Sequence, residues 1–567
     1  MNYSMSDFLP TNFEINSYIF HGIDEYNVKD NYTLNNYPIV YIIYDLESST
    51  AYVGESTNAL QRMQNHLSHP EKKKLKYVYI ISSPNFNKSA TLDIESYLIK
   101  YMVADEKFIL LNGNAGIVDH NYYQKPAYYE VFKNIWENLK LQKVAVKDIL
   151  QIDNSDLFKY SPYKALTADQ HKAIYQYLKL ILNRSESTVF VQGSAGTGKT
   201  ILAVYLIKML LTKVDIDDYE DAEGINLLEL EFVKEIQESN RDLKIALVVP
   251  MVSLRKTLEN VFRNVKGLKP SMVIGPSAVT KQDYDILIVD EAHRLKRRKG
   301  ITNYRSHDNN NRLLGYGNEG TELDWIMRCS KHQLFFYDSA QSIRPSDIPQ
   351  SVFDKLKVNT GSHVIELTSQ LRAKGGVDYI RFVDRLLNHQ LPEVAEPFNA
   401  TTYDLKLFKN MSEMVDVLRL KESEYGLSRM MAGYGWKWKS KNANVPDAII
   451  DGIELTWNRV PHDWINSTKD LKEIGCIHTV QGYDLNYAGV IFGNEIKYDA
   501  VNHEIYIDKE NYYDTKGSVG IDDPNQLKEY VINIYKTMMY RGILGTYVYV
   551  VDDELRGYLS KYINLKG

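Results

Sequence analysis

Cysteine is scarce. Cys329 and Cys476 are the only two in 567 residues, and they lie far apart. Two thiols exclude a cysteine-based zinc cluster and suit a reducing compartment, so a cytoplasmic location is expected. No run approaches 18 apolar residues, so no membrane span is expected. The opening, MNYSMSDFLPTNFEINSY, lacks a basic start followed by an apolar stretch, and no signal peptide is read there. Excess positive charge is also missing. Lys and Arg total 67 against 73 Asp and Glu, a net charge of −6. That excludes a uniformly basic nucleic-acid binder but leaves local basic clefts open, because the field that steers a polyanion is local.

What remains is ordinary globular material, 44% hydrophobic and 25% charged, in a chain too long for one core. Residues 1–36 are polar and weakly patterned and read as an N-terminal extension. A compact α/β block spans 37–120, and helical periodicity over 121–160 suggests a connector. Beyond it, apolar runs of four to six residues alternate with helices: TVFVQG, KIALVVP, MVIGPSAV, DILIVDEAH and HQLFFYDSAQ, then VIELTSQLR, DLKLFKN, GCIHTVQG, YAGVIFG and GTYVYVVD. Such runs predict parallel sheets in two α/β lobes, 161–360 and 361–567. The acidic stretch VDIDDYEDAEG reads as a surface insertion and HDNNNRLLGYGNEG, near 307–320, as a polar mobile loop.

The segment GSAGTGKT, 193–200, fits G-x-x-x-x-G-K-[ST] and sits between an apolar strand and an apolar helix. Gly193, Gly196 and Gly198 let backbone N–H groups face a phosphate, and the helix start adds its dipole. Lys199 is suited to the β and γ phosphates of ATP and Thr200 to Mg2+. LIVDEAH, 287–293, supplies Asp290 for the same metal and Glu291 to orient the attacking water. DSAQ, 338–341, offers Gln341 as a γ-phosphate sensor. Arg372 in QLR and Arg541 in YRG are guanidiniums that the second lobe could close onto that phosphate. RLKRRK, 294–299, holds five basic residues in six and suits either a nucleic-acid backbone or a solvated turn.

In order and spacing these segments resemble the Schlafen group 3-type DNA/RNA helicase domain, a superfamily 1 family with two RecA-like lobes, over roughly 160–567. The resemblance implies that LTADQ, 166–170, reads adenine through Gln170. It also implies that IHTVQG couples nucleotide to nucleic acid through His478, Thr479 and Gln481. Trp436 and Trp438 suit base stacking or core packing equally.

The earlier stretch VYIIYDLESSTAYVGESTNALQRMQNHL resembles a GIY-YIG nuclease domain. The triplets here are IVY, 39–41, and YVG, 52–54, with Tyr41 and Tyr52 eleven residues apart. Arg62 and His66 fall on one helix face. The resemblance implies that the two tyrosines flank the attacking water, Arg62 holds the scissile phosphate and His66 assists proton movement. It further implies that Glu95 binds a divalent cation, Mg2+ or Mn2+, and that Asn112 closes the site. The lysine run KKKLK, 72–76, could meet phosphates or remain a solvated edge.

The expectation is therefore an ATP-dependent nucleic-acid motor joined to a metal-dependent endonuclease, acting on DNA in an anti-phage or restriction-like defence. A repair nuclease-helicase, an ATPase switch that grips nucleic acid without cutting it, and an RNA substrate all stay open.

Overall fold

The computed structural model describes residues 12–25, 32–113, 121–213, 225–240, 242–338, 341–370, 373–394, 396–459, 464–467, 470–480, 482–515, 517–518 and 521–566. The stretch VDIDDYEDAEG, 214–224, lies outside them. The chain forms two compact units. One takes in Met1–Leu182, Ile201–Arg241 and Thr257–Met272, the other Asn183–Thr200, Asp242–Lys256 and Val273–Gly567.

In the first unit, β1 (Glu14–Ile19), β2 (Ile39–Asp45), β3 (Thr50–Ser56), β4 (Tyr77–Ser82) and β5 (Ile109–Leu110) form one sheet in the order β1-β4-β2-β3-β5. All neighbours are antiparallel except β3 and β5. The central strand β2 reads IVYIIYD and is buried at every position, as a strand with both edges paired and both faces covered must be. β1 comes from the segment read as a polar extension. As an edge strand it needs no continuous apolar run, and its burial alternates irregularly. Asn58 caps the helix Ala59–Ser68 by accepting the N–H of Gln61, and Asn87 caps the helix Lys88–Asp105 through Ala90. The segment expected to be a connector packs onto this second helix: Tyr101 meets the rings of Phe132, Trp136 and Phe158.

The second unit holds two large sheets and a two-stranded hairpin. The first is all parallel: β6 (Ser187–Gln192), β7 (Ile245–Val248), β8 (Val273–Ile274), β9 (Tyr284–Val289), β10 (Ser330–Tyr337) and β11 (Ser362–Glu366), in the order β11-β6-β10-β9-β7-β8. β11 is a correction to the sequence grouping. The sequence groups VIEL with the second lobe, yet it pairs with β6.

The second sheet contains β12 (Asp404–Phe408), β13 (Ser428–Ala432), β14 (Ala448–Ile450), β15 (Ile453–Trp457), β16 (Glu473–Gly475), β17 (Leu485–Phe492), β20 (Gly542–Val550) and β21 (Leu565–Lys566). Their order is β14-β15-β16-β13-β17-β20-β12-β21, antiparallel only between β14 and β15. Alternate residues enter opposite cores. Met431, Val490 and Val548 face one, with the helices Gly376–Leu387 and Pro524–Met539. Met430, Ile491 and Tyr547 face the other, with the helix Met411–Tyr425. That two-sided burial is why these strands read as unbroken apolar runs. A separate hairpin, β18 (Ile496–Asp499) and β19 (Glu504–Ile507), follows β17. Residues 307–320, expected to be a loop, are largely the helix Tyr304–Leu314. Asn311 is buried there, donating to the Gly320 carbonyl and accepting from the Trp325 indole.

Candidate functional sites

Two separate sites emerge. In the first unit, Tyr41 and Gly54 are cross-strand partners on β2 and β3. A Cβ at Gly54 would lie 2.2 Å from the Tyr41 hydroxyl, so the glycine of YVG is the space the phenol occupies. The helix Ala59–Ser68 brings both polar groups to that hydroxyl: His66 Nε2 is 2.7 Å from Tyr41 Oη, and Arg62 Nε–H points at Oη from 3.4 Å. Arg62 can only donate, so Oη is free to give its own proton to Nε2. The Tyr52 ring stands edge-on to His66 at 4.9 Å, and its face carries the buried Lys72 ammonium at 4.0 Å.

Burial, reinforced by the charges of Lys72 and Arg62, pushes the His66 imidazole down to about 2. Burial drives the Tyr41 phenol above its usual range. Arg62 opposes that rise, while Glu95 and Glu55 add to it. The resting pair is therefore a neutral phenol hydrogen-bonded to a neutral imidazole. Glu95, on the helix Lys88–Asp105, lies within electrostatic reach of that phenol. Glu55 was not anticipated: its carboxylate is held by Lys88 at 2.6 Å. Nor was Lys72, although KKKLK was the signal that contained it. Oxygen donors beside an anionic substrate suit a hard divalent cation. Asn112 acts on backbone, accepting from Val53 N–H at 3.0 Å and donating to the Val53 carbonyl at 2.8 Å.

The second unit builds the phosphate loop between β6 and the helix that starts at Lys199. Gly196 and Gly198 take φ of 89° and 79°, the left-handed region where a side chain is penalised. Lys199 Nζ bonds the carbonyls of Gly193 at 2.5 Å and Ser194 at 2.9 Å, and lies 3.8 Å from Asp338. Thr200 donates to Asp290 at 2.7 Å. A hydroxyl and a carboxylate converging at the cradle fit Mg2+. Burial, with Glu291 beside it, pushes the Asp290 carboxyl up to about 7. Burial would raise Glu291 as well, but His293, 3.0 Å away, together with Lys199 and Arg541, holds it below the usual carboxylate range. Arg541 is wholly buried, with its Nε on the Thr537 carbonyl, and it comes from the second lobe. Gln341 donates to Asp338 at 2.6 Å, which makes Asp338 a site residue missed in the sequence.

Other residues are placed differently. Gln170 is buried and accepts from the Thr167 N–H. His478 and Thr479 sit on the short helix Ile477–Val480, where His478 is pushed down to about 3 by burial and Thr479 bonds Asn458. Arg372 and Gln481 lie outside the described residues. The basic run 294–299 is largely spent on the protein itself. Arg294 pairs with Asp347, Arg297 bonds the Pro345 carbonyl and Arg298 clasps Asp308. Trp436 packs on the core, and Trp438 stands edge-on to Trp457. No described helix is long and apolar enough to cross a membrane.

Comparison with known proteins finds two family models along the chain. Residues 37–102 match the GIY-YIG catalytic domain. An uncharacterized protein of Saccharomyces cerevisiae, YPL245W, is 25% identical over 408 residues, covering 65% of this chain and 82% of its own. Two distant likenesses among solved structures are Pif1 helicases. One, from Bacteroides in complex with ADP-AlF3 and ssDNA, has 11% identity and a TM-score of 0.26, with 67% of this chain and 92% of that chain covered. The other, from Candida albicans, has 11% identity and a TM-score of 0.27, with 70% and 96% covered. Residues 186–552 match the Schlafen group 3, DNA/RNA helicase domain, and with more than half of its length in that match the chain belongs to that family.

Proposed function

We propose that the protein is a nucleic-acid-dependent ATPase motor carrying its own metal-dependent endonuclease, with DNA as substrate and restriction-like defence against foreign DNA as its role. The observation that carries the motor is the phosphate loop set against the DEAH turn: Thr200 donates to Asp290 at 2.7 Å, and Lys199 Nζ stands 3.8 Å from Asp338. Arg541 of the second lobe is within electrostatic reach of Glu291, which ties turnover to the approach of the lobes. Lys199 and the glycine loop bind the triphosphate, Thr200 and Asp290 hold Mg2+, and Glu291 orients water. Mg2+, when bound, neutralises charge on the β and γ phosphates.

At the nuclease site Arg62 orients both the scissile phosphate and Tyr41. Tyr41 Oη, bonded to His66 Nε2, is the oxygen that meets the attacking water, and the neutral imidazole holds that hydroxyl in place. Glu95 would hold the divalent cation, which would stabilise charge at the phosphate. Lys72 and Arg62 add positive charge along the same wall.

The test is direct. Purified protein is incubated with linear DNA, circular DNA and RNA of matched sequence, with Mg2+ or Mn2+, with and without ATP. Cleavage of DNA that disappears in Tyr41→Phe and Glu95→Ala is expected. No cleavage by the parent protein under either metal, with ATP turnover intact, defeats the nuclease assignment. Cleavage of RNA alone defeats the substrate assignment. Plaque counts in a bacterial host with and without the gene test the defence role; equal counts reject it.

A further inference from the structure

Between β17 and the helix Pro524–Met539 the second lobe makes an excursion that none of the nucleotide motifs requires. After the β18–β19 hairpin comes one turn at Lys509–Asn511 and then Tyr512, Tyr513 and Asp514. This segment is fixed to the lobe by Tyr434, whose carbonyl accepts the Tyr513 N–H at 2.9 Å and whose ring meets that of Tyr512 edge-on at 6.1 Å. A side chain at Gly517 would run into Asp514 Oδ2 at 2.6 Å and the Tyr512 hydroxyl at 2.7 Å. The Asp514 carboxylate is thus buried and held in one place by packing.

Two groups face it from opposite lobes. His478 Nε2 lies 3.8 Å from Asp514 Oδ2, and so does Arg344 Nη2, from the loop after β10. Both separations exceed hydrogen-bond length. His478 Nε2 and Arg344 Nε are buried with no hydrogen-bond partner, an arrangement that rewards a small approach of the lobes. From Arg344 the contacts run on without a gap. Its N–H and that of Ile343 donate to Asp347 Oδ2 at 3.1 and 3.2 Å. The same oxygen accepts Arg294 Nη1 at 2.8 Å. The Arg294 N–H donates to the Glu291 carbonyl at 2.9 Å, in the turn where Glu291 takes φ of 50°.

We propose that Asp514 is a positioning residue that couples nucleic-acid contact at the His478 helix to the geometry of Glu291. As the lobes approach, Arg344 of the first closes on the Asp514 carboxylate, which faces His478 on its own lobe. The loop 343–347 follows, and Asp347 and Arg294 carry the shift to the turn that holds Glu291. A carboxylate fixed on the second lobe opposite Arg344 of the first, and a chain of short contacts to the water-orienting residue, supply the linked elements such coupling needs. The inference rests on the chain being a nucleic-acid-dependent ATPase, and the experiment separates the two.

ATP turnover is measured for the parent protein and variants with and without single-stranded oligothymidylate or oligouridylate, alongside oligonucleotide binding by anisotropy. Asp514→Asn is expected to keep turnover without oligonucleotide, and the KM for ATP, within about two-fold of the parent. Its stimulated kcat is expected to fall at least about ten-fold with binding little changed. The charge exchange Arg344→Asp with Asp514→Arg is expected to recover stimulation that each single change loses. Stimulation of Asp514→Asn equal to the parent overturns the coupling role. So does an equal proportional loss of basal and stimulated turnover, which marks a structural residue only. A parent protein stimulated by neither oligonucleotide removes the nucleic-acid-dependent reading, and the coupling with it.

Discussion

At the scale of single residues, the nuclease site turns on two unusual demands, a glycine with no room for a methyl and a histidine that refuses a proton. Gly54 has an ordinary backbone, so its replacement is governed by space alone. In Gly54→Ala the new Cβ must displace the Tyr41 phenol, 2.2 Å away. The expected cost is about 1–3 kcal/mol of stability, the range for overpacking a tight core. Cleavage should fall at least about ten-fold as Tyr41 leaves its bond to His66. Thermal melting and a cleavage assay check both. His66 makes a pH prediction with a definite sign. Its imidazole, ordinarily near 6.5, is held at about 2 in the folded protein by burial and by Lys72 and Arg62. The unfolded chain therefore binds a proton that the folded chain refuses, so stability is full above pH 6.5 and declines as pH falls toward the folded value. By pH 5 the loss is up to about 2 kcal/mol. His66→Gln should flatten that decline between pH 7.5 and pH 5 by a similar amount, about 2 kcal/mol, in urea unfolding series. An unchanged slope would show that His66 titrates freely.

At the scale of elements, the basic run after the DEAH turn shows why charge in a sequence does not specify where it goes. Arg294 is buried in its pair with Asp347, whereas Arg298 meets Asp308 near the surface. Arg294→Ala leaves a buried carboxylate without its cation and is expected to cost about 3–5 kcal/mol. Arg298→Ala should cost under about 1 kcal/mol. Denaturant unfolding of the two variants separates these outcomes, and similar losses would mean the run behaves as one surface patch. The same contrast explains what could be read in advance. GSAGTGKT, LIVDEAH and the Tyr41, Tyr52, Arg62, His66 series are legible because their chemistry is local: a loop, a strand end, a hairpin and one helix turn fix them within a few residues of each other. Glu55, Lys72 and Asp338 were missed because only tertiary packing brings them to their sites. β11 was misgrouped because its partner, β6, lies far back in the chain, and pairing of that kind leaves no local pattern. The helix Tyr304–Leu314 reads as a loop because its buried positions are His307 and Asn311. Asn311 is satisfied inside by Gly320 and Trp325, and His307 Nδ1 meets the Asn311 amide at 3.5 Å.

At the scale of the whole molecule, the chain carries two hydrolytic sites whose side chains do not overlap. Glu95 and Tyr41 belong to one compact unit, Lys199, Asp290 and Glu291 to the other. The carboxylates proposed for the two sites are different side chains, so the two roles can be tested one at a time. Glu95→Ala is therefore expected to abolish cleavage while ATP turnover stays within about two-fold of the parent. Lys199→Ala removes the ammonium that faces the phosphates and should lower ATP turnover at least about 10²-fold. If cutting requires only a bound substrate and a divalent cation, Lys199→Ala still cleaves in the absence of ATP at the parent's ATP-free rate. The informative comparison adds ATP. A parent that cuts faster with ATP, and a Lys199→Ala protein that does not respond, show that the motor delivers substrate to the nuclease. Loss of ATP-free cleavage in Lys199→Ala, with the protein still folded by melting analysis, would refute independence: the nuclease would then need the nucleotide-bound form of the second unit to assemble its site at all.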